Sequence, residues 1–272
     1  MIREKISHLR ASAKSGHGIS SMVNLRSGEG KPVLLLILFS FFMGMALSYY
    51  FTASNAIFIK HFEPRMISLS YMVSGVAVYL TWLLLTLIDK RLPVVSRIIV
   101  KYILVLVSVV AISIGTWLYD TGLMAFILFT FVRVLVYISL VTFWGLAGKL
   151  FNLRQGKRIF GLIGTGEAIS VILGYFSIPV MLHFVKTPFL LFFSSFAFLL
   201  CFLIVLIITR VFREQLEYTE VPSVETLKED KKQWKYTSLI RKPYFLLISL
   251  LALLPIFGYL YVDYMFLHQV KY

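Results

Sequence analysis

Cysteine is almost absent. Cys201 stands alone inside an apolar run, which excludes a disulfide framework and any cysteine-based zinc spacing. Charge is scarce too: 15% of residues are charged, where an ordinary soluble domain has about 25%. Acids are the rarer sign, 13 against 27 Lys and Arg. The histidines (8, 17, 61, 183 and 268) are scattered and make no metal site. No Ser/His/Asp, paired-carboxylate or Cys/His arrangement marks a catalyst, so the chain reads as non-enzymatic, with no cofactor expected. The first thirty residues lack the apolar core of a cleavable signal.

Long apolar runs are what the sequence has instead. It is 59% hydrophobic over 272 residues, with 24 Phe and 15 Tyr. Water-soluble cores do not absorb successive apolar runs of this length, whereas a bilayer does. Runs starting near Val33, Met66, Val95, Leu123, Ile159, Pro188 and Pro243 predict about seven transmembrane helices, each near the ~20 residues that cross the hydrocarbon core. The expected fold is therefore all-α, a polytopic membrane helix bundle with the lipid bilayer as its main partner.

The net charge of +14 does not indicate a nucleic-acid partner, because Lys and Arg flank the apolar runs. With the runs numbered in order, all the basic residues except Lys60, Arg65, Arg133, Lys186 and Lys271 fall on one side. The positive-inside rule then places the N-terminus in the cytoplasm of a cell with an inner membrane. The expected organisation is a cytosolic tail over 1–31, a six-helix bundle over 32–211, a cytosolic connector over 212–242, and over 243–272 the first helix of a second half. Six spans, a long connector and a new span match a six-plus-six carrier, in which solute binds between two halves. On that reading the partner of this chain is the missing second half, and the chain is a fragment or a truncation.

Polar residues inside the runs are the candidates for function. Ser48, Thr52 and Asn55 share one face of the first helix, either lining a cavity or bonding a neighbouring helix. Arg133 lies at mid-membrane depth, where a charge is costly without water, a partner or a ligand. Tyr137 follows one turn on. Glu167 falls near the same level, so it is expected either to pair with Arg133 or to carry a proton. Asp263, with Asn55 or Lys60, is a candidate outer gate. The run Gly161-Leu162-Ile163-Gly164-Thr165-Gly166 is no phosphate loop, since no strand precedes it and no Gly-Lys-Ser/Thr closes it. Gly166, Ser170 and Gly174 form a small-xxx-small ridge expected to pack on another helix.

The stretch from Arg154-Gln155-Gly156-Lys157-Arg158 through Gly166 resembles the major facilitator superfamily. Within it, Phe41 to Leu47, Ala53 to Phe58 and Val262 to Phe266 are similar to the nucleotide (ADP/ATP) translocase-type carriers of bacteria and plastids. Asp89-Lys90 fits the family's loop pattern, while Leu85 stands where its first glycine belongs. The resemblance implies a major-facilitator-like six-helix N-terminal half plus a seventh helix. It also implies secondary transport of a polar or anionic small molecule, with nucleotide as one class. Arg133, Glu167, Asn55, Thr52, Ser48 and Tyr137 would bind the solute, and Asp263 and Lys60 would gate it. The rival expectation is a membrane sensor or anchor that uses a carrier-like fold without transporting.

Overall fold

The computed structural model describes residues 29–218 and 243–271. Most of the expected tail and of the expected connector lie outside these residues. All regular structure among them is helical: α1 (Gly30–His61), α2 (Arg65–Asp89), α3 (Val94–Leu118), α4 (Gly122–Leu150), α5 (Leu153–Phe184), α6 (Phe189–Val211), the short α7 (Arg213–Tyr218) and α8 (Pro243–Lys271). Seven of these are long and apolar enough to cross a membrane. The protein is thus an all-α, multi-pass membrane helix bundle.

Proline and capping residues set the breaks. Pro64, Pro93 and Pro188 sit at the N-caps of α2, α3 and α6, where a missing N–H removes no helical hydrogen bond. The Thr121 side chain accepts from the Met124 amide at the start of α4. The α5 start differs from the sequence expectation by about two turns. Asn152 and Gln155 form a reciprocal capping box, which satisfies two orphan donors and draws Arg154, Lys157 and Arg158 into the helix rather than a loop. Likewise Lys31, expected in the tail, lies within the first turn of α1.

Successive spans run in opposite directions. Glu29, Asp89, Leu150 and Val211 therefore mark one end, the basic end, and His61, Asp120 and Phe184 the other. The hub is α1, which packs most extensively on α5 and then on α6 and α4. Lipid tails are as apolar as leucine, so this packing is held by close fit and interhelical hydrogen bonds rather than by escape from water. The expected small-residue ridge provides the fit. A Cβ on Gly166 would sit 2.5 Å from the Ile37 carbonyl oxygen; Ser170 lies against Gly44, and Gly174 against Ser48. Hydroxyls add the bonds. Ser40 donates to the Ile163 carbonyl at 2.9 Å, Ser194 to the Ala46 carbonyl at 2.7 Å, and Tyr49 pairs with Ser177 at 2.9 Å.

At the basic end, Glu29 ties α1 to α5. Gln155 Nε2 donates to its Oε1 at 2.9 Å, and Arg158 Nη2 to its Oε2. The opposite extreme is α8. Of its described side chains only Asp263 and Leu267 are buried. Leu267 joins a small cluster with Phe58, Ile67 and Phe129.

Candidate functional site

Four helices converge on one charge. Arg133 of α4 donates from Nη2 to Asp263 Oδ2 of α8 at 2.9 Å. Tyr71 of α2 donates to the same oxygen at 2.6 Å. The Asp263 side chain is 8% exposed and that of Arg133 18%. Around the guanidinium stand the rings of Tyr71 at 5.2 Å, Phe51 of α1 at 5.8 Å and Phe129 at 5.9 Å. Ring faces attract a cation electrostatically, more so away from water. Phe129 is itself stacked between Phe58 at 4.2 Å and Tyr71 at 5.8 Å. The cage orients the arginine, and its buried Nε has no hydrogen-bond partner among the described residues.

Depth explains the pairing. Arg133 is eleven residues into α4, about 16 Å from its start, and Asp263 is eight from the end of α8, about 12 Å. Both distances run from the end opposite the basic one. A cavity of about 350 Å³ opens beside Arg133, lined by Tyr71, Ser74, Gly75 and Val78 of α2 and by Ile256, Tyr259 and Leu260 of α8. The α8 residues precede Asp263 and the α2 residues follow Tyr71 in the chain, so the cavity extends from the ion pair toward the basic end. The pair closes its other side.

Two expected partnerships are corrected. Arg133 pairs with Asp263 and not with Glu167. Glu167 lies on α5, where its backbone abuts Gly44 of α1, and α4 and α5 scarcely meet. Equal depth in the bilayer does not fix which way a residue faces. The expected gate partners of Asp263 are also replaced. Lys60 instead donates to Asp120 Oδ2, and His61 Nε2 lies 2.7 Å from Oδ1. These two partners hold the exposed Asp120 carboxyl below its ordinary range, the Lys60 hydrogen bond contributing most.

The α1 stripe also divides. Ser48 bonds back to the Gly44 carbonyl at 2.8 Å and packs on Gly174, so its face is a helix contact. Asn55 Oδ1 is buried with no partner among the described residues. Thr52, Asn55 and Tyr137 do not line the Arg133 cavity. The contributions of Phe51, Tyr71 and Phe129 were missed from the sequence. One signal was available: Tyr71, Ser74, Gly75 and Val78 recur at i, i+3, i+4 and i+7, a small and polar stripe in an otherwise bulky helix.

Comparisons with family models, with curated proteins and with solved structures gave no match. The resemblance to the facilitator carriers therefore rests on the quoted strings alone.

Proposed function

We propose that this chain forms the solute-binding helix bundle of a secondary carrier of the major facilitator type, with Arg133 as its anion-binding group. The supporting observation is the Arg133–Asp263 pair, buried at mid-membrane depth beside a cavity and contributed by two different helices. Ionised groups at this depth are costly and generally serve a pathway or a ligand. A buried ion pair contributes little net stability, and the cost of losing one partner is large only while the other charge stays enclosed. An incoming carboxylate or phosphate takes over the role of Asp263 without leaving Arg133 bare. Because Asp263 belongs to α8, this exchange releases α8 from the bundle. Anion binding thereby favours one of two helix arrangements, as alternating access requires.

The basic end faces the cytoplasm of an inner membrane by the positive-inside rule. The cavity then opens inward and the ion pair is the closed outer side, so Asp263 acts as a gate with Arg133 in place of Asn55 or Lys60. Ligand pockets run from about 300 to 1,000 Å³, so the cavity at about 350 Å³ favours a small anion over a whole nucleotide. Full-length protein in liposomes tests the proposal. It should take up labelled phosphate- or carboxylate-bearing solutes, with nucleotide as the comparison, and Arg133→Ala should lower the rate at least tenfold. Uptake that Arg133→Ala leaves unchanged would overturn the role of Arg133. No uptake of any anion would leave the membrane-anchor reading.

A further inference from the structure

The exchange at Arg133 leaves one charge unaccounted for. When a solute anion takes the guanidinium, the Asp263 carboxylate gives up the cation it is paired with. An acid uncovered at this depth is as costly as a bare arginine. Before the exchange the site is neutral, one guanidinium against one carboxylate. Among the described residues, no charged side chain besides Arg133 lines the adjoining cavity. A solute with net negative charge unbalances such a site. A solute that carries both signs does not.

The pair is also only half used. Tyr71 and Arg133 both donate to Asp263 Oδ2, and Oδ1 receives no hydrogen bond among the described residues. On the arginine, Nη2 is given to Asp263 while the buried Nε is given to nothing among them. Nε and Nη2 form one edge of the guanidinium, the edge that a carboxylate grips with two parallel N–H bonds. A donor stands open on the cation and an acceptor on the anion beside it. Their complement is a molecule with a carboxylate and an ammonium. Tyr259 lies one turn before Asp263 on α8 and faces the cavity; ring faces attract an ammonium. The remaining wall is apolar, formed by Val78, Ile256 and Leu260, and the Ser74 hydroxyl is turned to its own helix, donating to the Ser70 carbonyl at 2.7 Å. Gly75 keeps the space open, since a Cβ placed there would meet nothing within 4 Å.

We infer that the solute is a zwitterion, an α-amino acid with an uncharged, apolar side chain. Its carboxylate takes the Nε–Nη2 edge of Arg133. Its ammonium meets the displaced Asp263 carboxylate in place of the guanidinium. Its side chain lies along Val78, Ile256 and Leu260. The charge of the site is zero before and after the exchange. The inference rests on the anion-binding role given to Arg133 and adds the second pole of the solute.

The test is equilibrium binding to the full-length protein in phosphatidylcholine nanodiscs, with probes that differ by one group. Leucine carries both poles, isocaproate lacks the ammonium, and isoamylamine lacks the carboxylate. Leucine should bind at least tenfold more tightly than either. Glutamate, with one more carboxylate, should bind at least tenfold more weakly than leucine. Asp263→Asn should weaken leucine at least tenfold and leave isocaproate within about threefold, because Arg133 keeps its fork. The wild-type series stands without any variant, so a misfolded variant does not remove the test. Isocaproate binding as tightly as leucine overturns the inference and leaves the anion role of Arg133 in place. Binding of none of the probes also overturns it, whereas the role of Arg133 stands or falls separately on anion uptake and its loss in Arg133→Ala. Leucine binding that Asp263→Asn leaves unchanged overturns the place of the ammonium at Asp263, and the inference with it.

Discussion

Among the described residues, two buried acid–arginine clusters look alike and are placed differently. Glu29 and Asp263 side chains are each 8% exposed, and their arginines 25% and 18%. Glu29 receives donors on both oxygens, from Gln155 and Arg158 of α5. That helix already packs on α1 along much of its length, so the cluster adds a lock to an interface that exists without it. Asp263 receives donors from two helices on one oxygen. It belongs to a helix with almost no other buried residues. The same chemistry is a fastener where packing surrounds it and a tether where packing does not.

Stability measurements can break this comparison. Glu29→Ala strands the Arg158 guanidinium in a packed interface. Breaking a buried pair costs up to 3–5 kcal/mol, and the partial exposure of Arg158 brings this to about 2 kcal/mol. We expect a clear drop in the unfolding midpoint in detergent. Asp263→Ala should cost about 1 kcal/mol or less, because α8 can move and leave Arg133 open to its cavity while the aromatic cage persists. Equal losses in the two variants would erase the distinction. Gly166→Ala tests the packing that surrounds the first cluster. Its Cβ meets the Ile37 backbone and the Ser40 hydroxyl, and overpacking of this kind costs about 1–3 kcal/mol.

A charge swap sharpens the other side. With cysteines at Gly75 and Leu260, which line the same cavity, cross-linking reports whether α8 is docked. Native Cys201 is buried and does not compete. Arg133→Asp alone should lower cross-linking severalfold, and adding Asp263→Arg should restore most of it. Failure to restore would mean that Tyr71 and Leu267, rather than the ion pair, hold α8. The smallest effect belongs to the surface trio of Lys60, His61 and Asp120. The folded Asp120 carboxyl lies below its unfolded value near 3.9. Its contribution is therefore complete above that value and fades as pH falls through the lower folded one. Asp120→Asn should remove only this shallow acid-side slope from thermal midpoints measured between pH 2 and 6.

These differences mark what the sequence makes legible. Apolar length is a one-dimensional quantity, so the seven spans follow from it directly. The ridge of Gly166, Ser170 and Gly174 is legible because small residues at four-residue spacing serve close helix approach. The depth of Arg133 is legible by counting residues along α4. Its partner is not, because depth leaves open the direction in which Glu167 and Asp263 face, and that depends on how α5 and α8 are placed around the bundle. The start of α5 was legible in principle: Asn152 and Gln155 have capping-box spacing, hidden among basic residues that read as a loop.

The central position of α1 has a consequence for how the protein is made. Chains emerge from the ribosome N-terminus first, so α1 enters the bilayer before α4, α5 and α6 exist. Its serines and tyrosines must wait in lipid until those partners arrive. Ser48 shows how the wait is tolerated, by bonding the carbonyl one turn back on its own helix. Gly44 keeps its bare surface for Ser170, a residue synthesised more than a hundred positions later. Damage to α5 therefore leaves α1, made before it, without its main neighbour.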